Sequence, residues 1–160
     1  MTALGAPRRS LRRWFQSTSS RTFVVWPLAL LALQAALDGG WPRMNLSALP
    51  LLAWGYAQYR WVGALRADQG GGGPGVSNPP QRLVSSGAYG LTRNPMYLGH
   101  LIFFAGLALL LSGVAWLVFA AHALWFDRRV RADEASLLAL FGAPYSDYMR
   151  RVKRWLPGVY

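Results

Sequence analysis

Two small polar clusters interrupt a chain that is otherwise short of charge. The first, Arg93-Asn94-Pro95 with Tyr97 close behind, stands at the mouth of an apolar run that lasts from Tyr97 to Phe126. The second, Asp133-Glu134, lies just beyond the far end of the same run. If the run folds back on itself, the two clusters reach one depth. Arg93 then offers a cation and the acidic pair a carboxylate to a zwitterionic ligand, with Tyr89, Tyr97 and Tyr145 as aromatic walls or hydrogen-bonding partners. Each cluster also has a plainer reading. Asn94 is a good helix N-cap, Pro95 suits a first helical turn where its missing N–H costs nothing, and a lone Arg93 could snorkel to a membrane interface.

The remaining reactive side chains are few. The chain has no cysteine, which removes thiolate nucleophiles, disulfides and Cys-based metal sites. His100 and His122 are its two histidines. Counted from the middle of the apolar run they differ in depth by about three residues, or ~4.5 Å, so they could approach each other or a ligand; the plainer reading is a hydrogen bond for each within a helix bundle. With no carboxylates and histidines at ligand spacing, no metal is expected. The glycine run at 70–73 lacks the Gly-Lys-Ser/Thr that would make it a phosphate loop, and reads as part of a flexible connection.

The elements that must position these residues are set by composition. Of the 160 residues 53% are hydrophobic and 14% charged, against roughly 25% charged in a soluble domain, and eight tryptophans add an interfacial character. This is the composition of an all-α, polytopic membrane protein. Residues 1–22 form a basic segment with Arg8, Arg9, Arg12, Arg13 and Arg21, followed by a single domain over 23–160. A first membrane helix is expected at about 23–38, uncleaved because Gln34, Asp38, Gly39 and Gly40 make a poor cleavage site. A second is expected at about 45–66, where Arg60 can snorkel. The 30 residues from Tyr97 to Phe126 would span ~45 Å as one helix, well over a bilayer core, so they should break at Ser112-Gly113 into a tight hairpin with helices at about 95–112 and 114–141, a single tilted helix being the alternative. Gly142 and Pro144 then stop the chain, and 144–156 reads as an interfacial helical segment with Trp155 as an anchor.

Four crossings put both termini and the 66–95 loop on one side. Of the 17 Lys and Arg residues only Arg43 then falls on the other, which makes the common side cytoplasmic, in the inner membrane of a bacterial cell. The net charge of +11 is explained by anionic headgroups, at ~1 kcal/mol per basic residue near the surface, without a nucleic-acid partner.

The two clusters also carry a resemblance. GAYGLTRNPMYLG, residues 87–99, resembles the Gly-x-Tyr-x-x-x-Arg-His/Asn-Pro-x-Tyr-x-Gly signature of the membrane methyltransferases that include isoprenylcysteine carboxyl methyltransferase and the phospholipid N-methyltransferases. DEASLLALFGAPYSDYMRRVKRWLP, residues 133–157, resembles their C-terminal signature. The likeness covers about residues 82–157. It implies S-adenosylmethionine held at the cytoplasmic rim, partly wrapped by the C-terminal segment, and a lipophilic acceptor that enters sideways from the bilayer. Carried over by position, Tyr89, Arg93, Asn94, Pro95, Tyr97, Leu98, Glu134 and Tyr145 would line the cofactor site, with Glu134 at its amino-acid end and Arg93 and Glu134 as the catalytic pair. Two departures stand out. Asn94 replaces the His of many members and cannot titrate, so a general base at 94 is not expected, and Asp133 replaces the first of two glutamates.

Methyl transfer from a sulfonium is an in-line displacement that needs positioning and exclusion of water, not a metal or a covalent nucleophile. The acceptor stays open between an isoprenylcysteine-like carboxylate, a phospholipid amine and another small lipophilic nucleophile. Two other readings stand beside this one: a membrane reductase of the sterol-reductase type, for which no nicotinamide site is visible, and a non-catalytic protein on the same scaffold.

Overall fold

The computed structural model describes residue 14 and residues 17–71, 80–111 and 113–157. Arg8, Arg9, Arg12, Arg13, most of the glycine-rich connection and Ser112 lie outside them. Among the described residues the secondary structure is all helical, and the chain falls into two compact units, Met1–Arg43 and Met44–Tyr160.

The first unit contains α1, Thr18–Asp38. Its Arg21–Val25 turn is π-helical, immediately ahead of Pro27. Proline cannot donate to the carbonyl four residues back and its ring crowds that carbonyl, so the turn before it widens. Gly39 ends the helix with a left-handed φ of 69°, and Asp38 accepts from Gln34 Nε2 at 3.0 Å and from the Arg43 amide at 3.1 Å.

The second unit begins with a 3-10 turn, Leu46–Ala48, whose Ser47 amide is capped by the Asn45 side chain at 3.3 Å. Next come α2 (Leu49–Gly70), the single turn α3 (Ala88–Leu91), α4 (Pro95–Leu111), α5 (Val114–Phe141) and α6 (Ala143–Arg151). Helix α2 runs four residues past the expected 66, because Ala67, Asp68 and Gln69 continue it until the glycine run. The break between α4 and α5 contains Gly113, whose φ of 51° is one that residues with a Cβ rarely adopt. Helix α6 stops at Arg151, short of the expected 156, and Val152 is extended.

Among the described residues one helix, α1, is long and apolar enough to cross a membrane, and α4 is apolar but 17 residues long. Helix α2 has the length but carries Arg60, Arg66 and Asp68, and the apolar part of α5 ends at Phe126. Helix length and composition therefore support one of the four expected crossings outright.

Helices α2 and α4 touch backbone to backbone. A methyl group on Gly55 would stand 2.5 Å from the Phe103 amide nitrogen and 2.8 Å from the Gly99 carbonyl oxygen, and one on Gly99 would stand 3.0 Å from the Gly55 carbonyl. The pair is tied at both ends, by Gln58 Nε2 to the Pro95 carbonyl at 3.0 Å and by the Asn45 amide to the Leu110 carbonyl at 2.8 Å. Backbone cannot step aside as a side-chain tip can. Gly55→Ala should therefore lower stability by about 3 kcal/mol, the upper end of the usual overpacking cost. Gly63→Ala, whose nearest neighbour would be the Met96 methyl at 3.8 Å, should be neutral or stabilising by up to ~1 kcal/mol. Melting temperatures of the two variants in one detergent check this contrast.

Candidate functional site

The α4–α5 hairpin brings the two polar clusters together at its open end. Arg93, just ahead of α4, grips Glu134 of α5 with two parallel bonds, Nε to Oε1 at 2.9 Å and Nη2 to Oε2 at 3.2 Å. Asn94 Nδ2 donates to Oε1 at 3.1 Å. Arg154, beyond α6, adds Nε and Nη2 to Oε2 at 3.0 and 2.9 Å. The side chains of Arg93 and Glu134 are 7% and 4% exposed and that of Arg154 18%, so this is a buried cluster of two guanidiniums on one carboxylate. Burial alone would push the Glu134 pKa up, but the bonds from Arg93 and Arg154 outweigh it and hold the carboxyl below its ordinary value of 4.5.

The same residues anchor the C-terminal segment. Arg93 Nη1 donates to the carbonyls of Met149 at 3.1 Å and Val152 at 2.6 Å, carbonyls at the end of α6 that lack partners in their own helix. This accounts for the early stop of α6. The Arg93 amide donates to the Lys153 carbonyl at 2.9 Å, and the Thr92 hydroxyl to the Arg154 carbonyl at 2.8 Å. Farther back, the buried Tyr148 hydroxyl donates to the Tyr89 carbonyl at 2.7 Å, and Tyr145 packs beside Tyr148 with ring centres 5.8 Å apart. Burial raises the Tyr89 pKa to about 12 and those of Tyr145 and Tyr148 further still, so all three stay neutral phenols at physiological pH.

The residues singled out in the sequence thus take separate places. Arg93, Asn94 and Glu134 share one network. Asp133, next to Glu134 but turned by one helical step, instead accepts from the Tyr97 hydroxyl at 2.7 Å and pairs with Arg129 at 3.2 Å. Pro95 is buried and begins α4, its carbonyl taken by Gln58. Leu98 faces an apolar groove described below. His100 is buried against Tyr59 and Phe126, with ring centres 4.7 and 5.5 Å away. His122 packs on Phe104 at 4.1 Å, and its Nδ1 lies 2.8 Å from the Val118 carbonyl, which assigns the proton to Nδ1 by bonding logic. Sequence reading passed over Arg154, Thr92 and Asp127. It also placed Trp155 as an interfacial anchor, whereas the indole is buried and donates to Asp127 at 3.0 Å. The signal available for Arg154 was its place in the C-terminal signature, two residues after Val152.

Comparison with known proteins shows what this stretch is similar to. Residues 74–143, under half of the chain, match phospholipid methyltransferase. Among curated relatives, the protein-S-isoprenylcysteine O-methyltransferase of Schizosaccharomyces pombe is 32% identical over 82 residues, 50% of this chain and 35% of the relative. Its counterparts in Saccharomyces cerevisiae and Mus musculus are each 36% identical over 77 residues, 47% of this chain and 32% and 27% of theirs. The chain covers about a third of the length of these relatives, and residues 74–143, which the family match covers, contain the α4–α5 hairpin with Arg93 and Glu134.

The depressed Glu134 pKa has a consequence for stability. A carboxyl whose folded pKa lies below its unfolded value contributes stability that is full above about 4.5 and is lost as pH falls through the lower folded value. Limited trypsinolysis at Arg150, Arg151 and Lys153, run on protein briefly exposed to decreasing pH, should show protection that persists to pH ~5 and disappears only below 4.5. Loss of protection between about pH 6 and 7 would instead assign the control to a histidine.

Proposed function

We propose that the chain is an S-adenosylmethionine-dependent methyltransferase that acts on a lipophilic acceptor at the cytoplasmic face of a membrane. The observation that carries this reading is the buried Arg93–Glu134–Arg154 cluster at the open end of an apolar hairpin. There a charged donor and a lipid-borne acceptor can meet. The donor set fits such a cofactor. Guanidiniums and a carboxylate match the two charges of its amino-acid end, and the half-buried Tyr89, Asn94, Tyr97 and Leu98 offer surfaces for the remainder, while Pro95 and Tyr145 are fully buried and would act only by packing. Bound there, S-adenosylmethionine would supply a methyl group already activated by a sulfonium.

The chain's own residues have only to position and to exclude water. Arg93 fixes the carboxylate of Glu134 and the end of α6 with a single planar fork, so the walls of the site are set before any ligand enters. Asn94 cannot accept a proton, so a carboxylate acceptor, ionised at neutral pH, would need no base from this cluster, whereas an amine would have to lose its proton elsewhere. The membrane setting belongs to the same proposal: four crossings, with both termini and the 66–95 connection cytoplasmic.

The test is binding. S-adenosylhomocysteine at about a hundred times its Kd should stabilise the purified protein by ~2.7 kcal/mol and raise its melting temperature. NADPH should not. No shift with millimolar S-adenosylhomocysteine in two detergents would sink the reading, and a shift with NADPH alone would replace it with a reductase.

A further inference from the structure

Along one face of the α4–α5 hairpin runs a groove of about 500 Å³ that takes no part in the Arg93–Glu134 network. Leu101, Ile102 and Ala105 of α4 face Phe119, Ala123 and Leu124 of α5 across it. From Leu98 to Ala105 the groove follows α4 for ~10 Å. Its walls are apolar except at one end, which Asp127 and Trp155 line. That end is fixed: Asp127 accepts from the Trp155 indole at 3.0 Å and from Arg131 Nε at 2.8 Å.

The end lined by Asp127 and Trp155 is continuous with the polar cluster. Leu98 is one turn from Asn94, to whose carbonyl its amide donates at 2.9 Å. Trp155 directly follows Arg154, whose guanidinium sits on Glu134. One short stretch, Lys153 to Leu156, is therefore bonded to Arg93 and Glu134 on one side and walls the groove on the other.

We propose that this groove seats a single hydrocarbon chain of the methyl acceptor, and that Trp155, held by Asp127, is a positioning residue that stops the chain with its head at the level of Arg93. The proposal rests on the methyltransferase reading and adds to it where the acceptor's chain lies. The volume is in the lower half of the 300–1,000 Å³ of small-molecule sites, which suits one chain better than two. Because the Lys153–Leu156 stretch is shared, acceptor and cofactor each favour the arrangement that the other needs, and this coupling is reciprocal.

The experiment uses the full chain in phosphatidylcholine vesicles with S-adenosylhomocysteine. Two photoreactive probes are compared, a farnesylcysteine with a diazirine in its chain and a phosphatidylethanolamine with a diazirine in one acyl chain. For one of them, labelling should concentrate on Leu101, Ala105 and Ala123 and fall when the same compound is added without the diazirine. Ala105→Phe and Ala123→Phe should each reduce that labelling and raise the acceptor KM about tenfold, the loss of roughly two buried methylenes, while keeping the melting shift with S-adenosylhomocysteine. Trp155→Phe should leave the labelled positions unchanged but lower kcat more than it raises KM, with Asp127→Asn acting in the same direction. Labelling spread evenly over the exposed Trp54, Trp61 and Leu109 and insensitive to competitor would mean ordinary bilayer contact and overturn the proposal. So would competed labelling that neither phenylalanine reduces. A parent protein without the melting shift fails the methyltransferase reading itself, whereas a shift with no groove labelling fails only this inference.

Discussion

Glu134→Ala should destabilise the protein by about 3–5 kcal/mol, the usual result of removing one partner from a buried ion pair. The cost is large because the carboxylate is shared. Its removal leaves Arg93 and Arg154 facing each other with 7% and 18% of their side chains exposed, and it leaves the Asn94 amide only its longer bond to the Arg154 carbonyl at 3.4 Å. Glu134→Gln keeps the shape but not the outcome. A glutamine amide has one acceptor oxygen and an NH2 group, and whichever way it turns the NH2 meets donors of Arg93, Asn94 or Arg154. Both variants should therefore loosen the C-terminal segment and weaken S-adenosylhomocysteine binding together. Chemical denaturation read alongside ligand titration checks this. Unchanged stability with weakened binding would instead make Glu134 a ligand contact whose bonds to the arginines contribute little.

This cluster also shows where sequence reading succeeds. A positive and a negative motif bracket an apolar run too long for one crossing, so a fold-back was required, and Gly113 offered the break. Those facts bring Arg93 near residues 133–134 without any coordinates. They do not separate Asp133 from Glu134. Neighbours on a helix point ~100° apart, and only the packing of α5 on α4 turns Glu134 inward and leaves Asp133 to Tyr97 and Arg129.

Apart from its place in the C-terminal signature, Arg154 was illegible for a related reason. Arg150, Arg151, Lys153 and Arg154 form one basic run of interchangeable appearance, and a helix continued to 156 would set their directions by helical period. The helix ends at Arg151 because Arg93 takes carbonyls at its last turn, and in the non-helical stretch that follows Arg154 meets Glu134 while Trp155 meets Asp127. A tertiary bond from a distant residue thus decides a local boundary, and no window of sequence around residue 152 contains it. The π-helical turn before Pro27 is the contrasting case, since its cause lies within two residues of it.

That dependence makes Arg93 the position where a conservative change should do the most damage to function. Arg93→Lys keeps the charge. A lysine ammonium has three donors at one point, whereas the guanidinium makes four side-chain bonds directed to both oxygens of Glu134 and to the carbonyls of Met149 and Val152. The Lys153 carbonyl keeps its bond from the backbone amide, so the segment stays tethered at one point while its side-chain clamp is lost. The expected result is a stability loss of about 2–4 kcal/mol, within the range for truncating a buried hydrogen-bonded charge pair, and α6 free to fray at its end. Methyl transfer to a mixed lipid extract should fall by more than the loss of folded protein explains, because misplacing a positioning group by ~1 Å can cost on the order of a hundredfold in rate. Arg128→Lys provides the control: Arg128 is exposed on α5, and its variant should match the parent in stability and turnover. The comparison separates two roles for Arg93. Were it one more interfacial cation, Arg93→Lys and Arg128→Lys would behave alike; a planar fork that sets the walls of the site predicts that only the first loses activity.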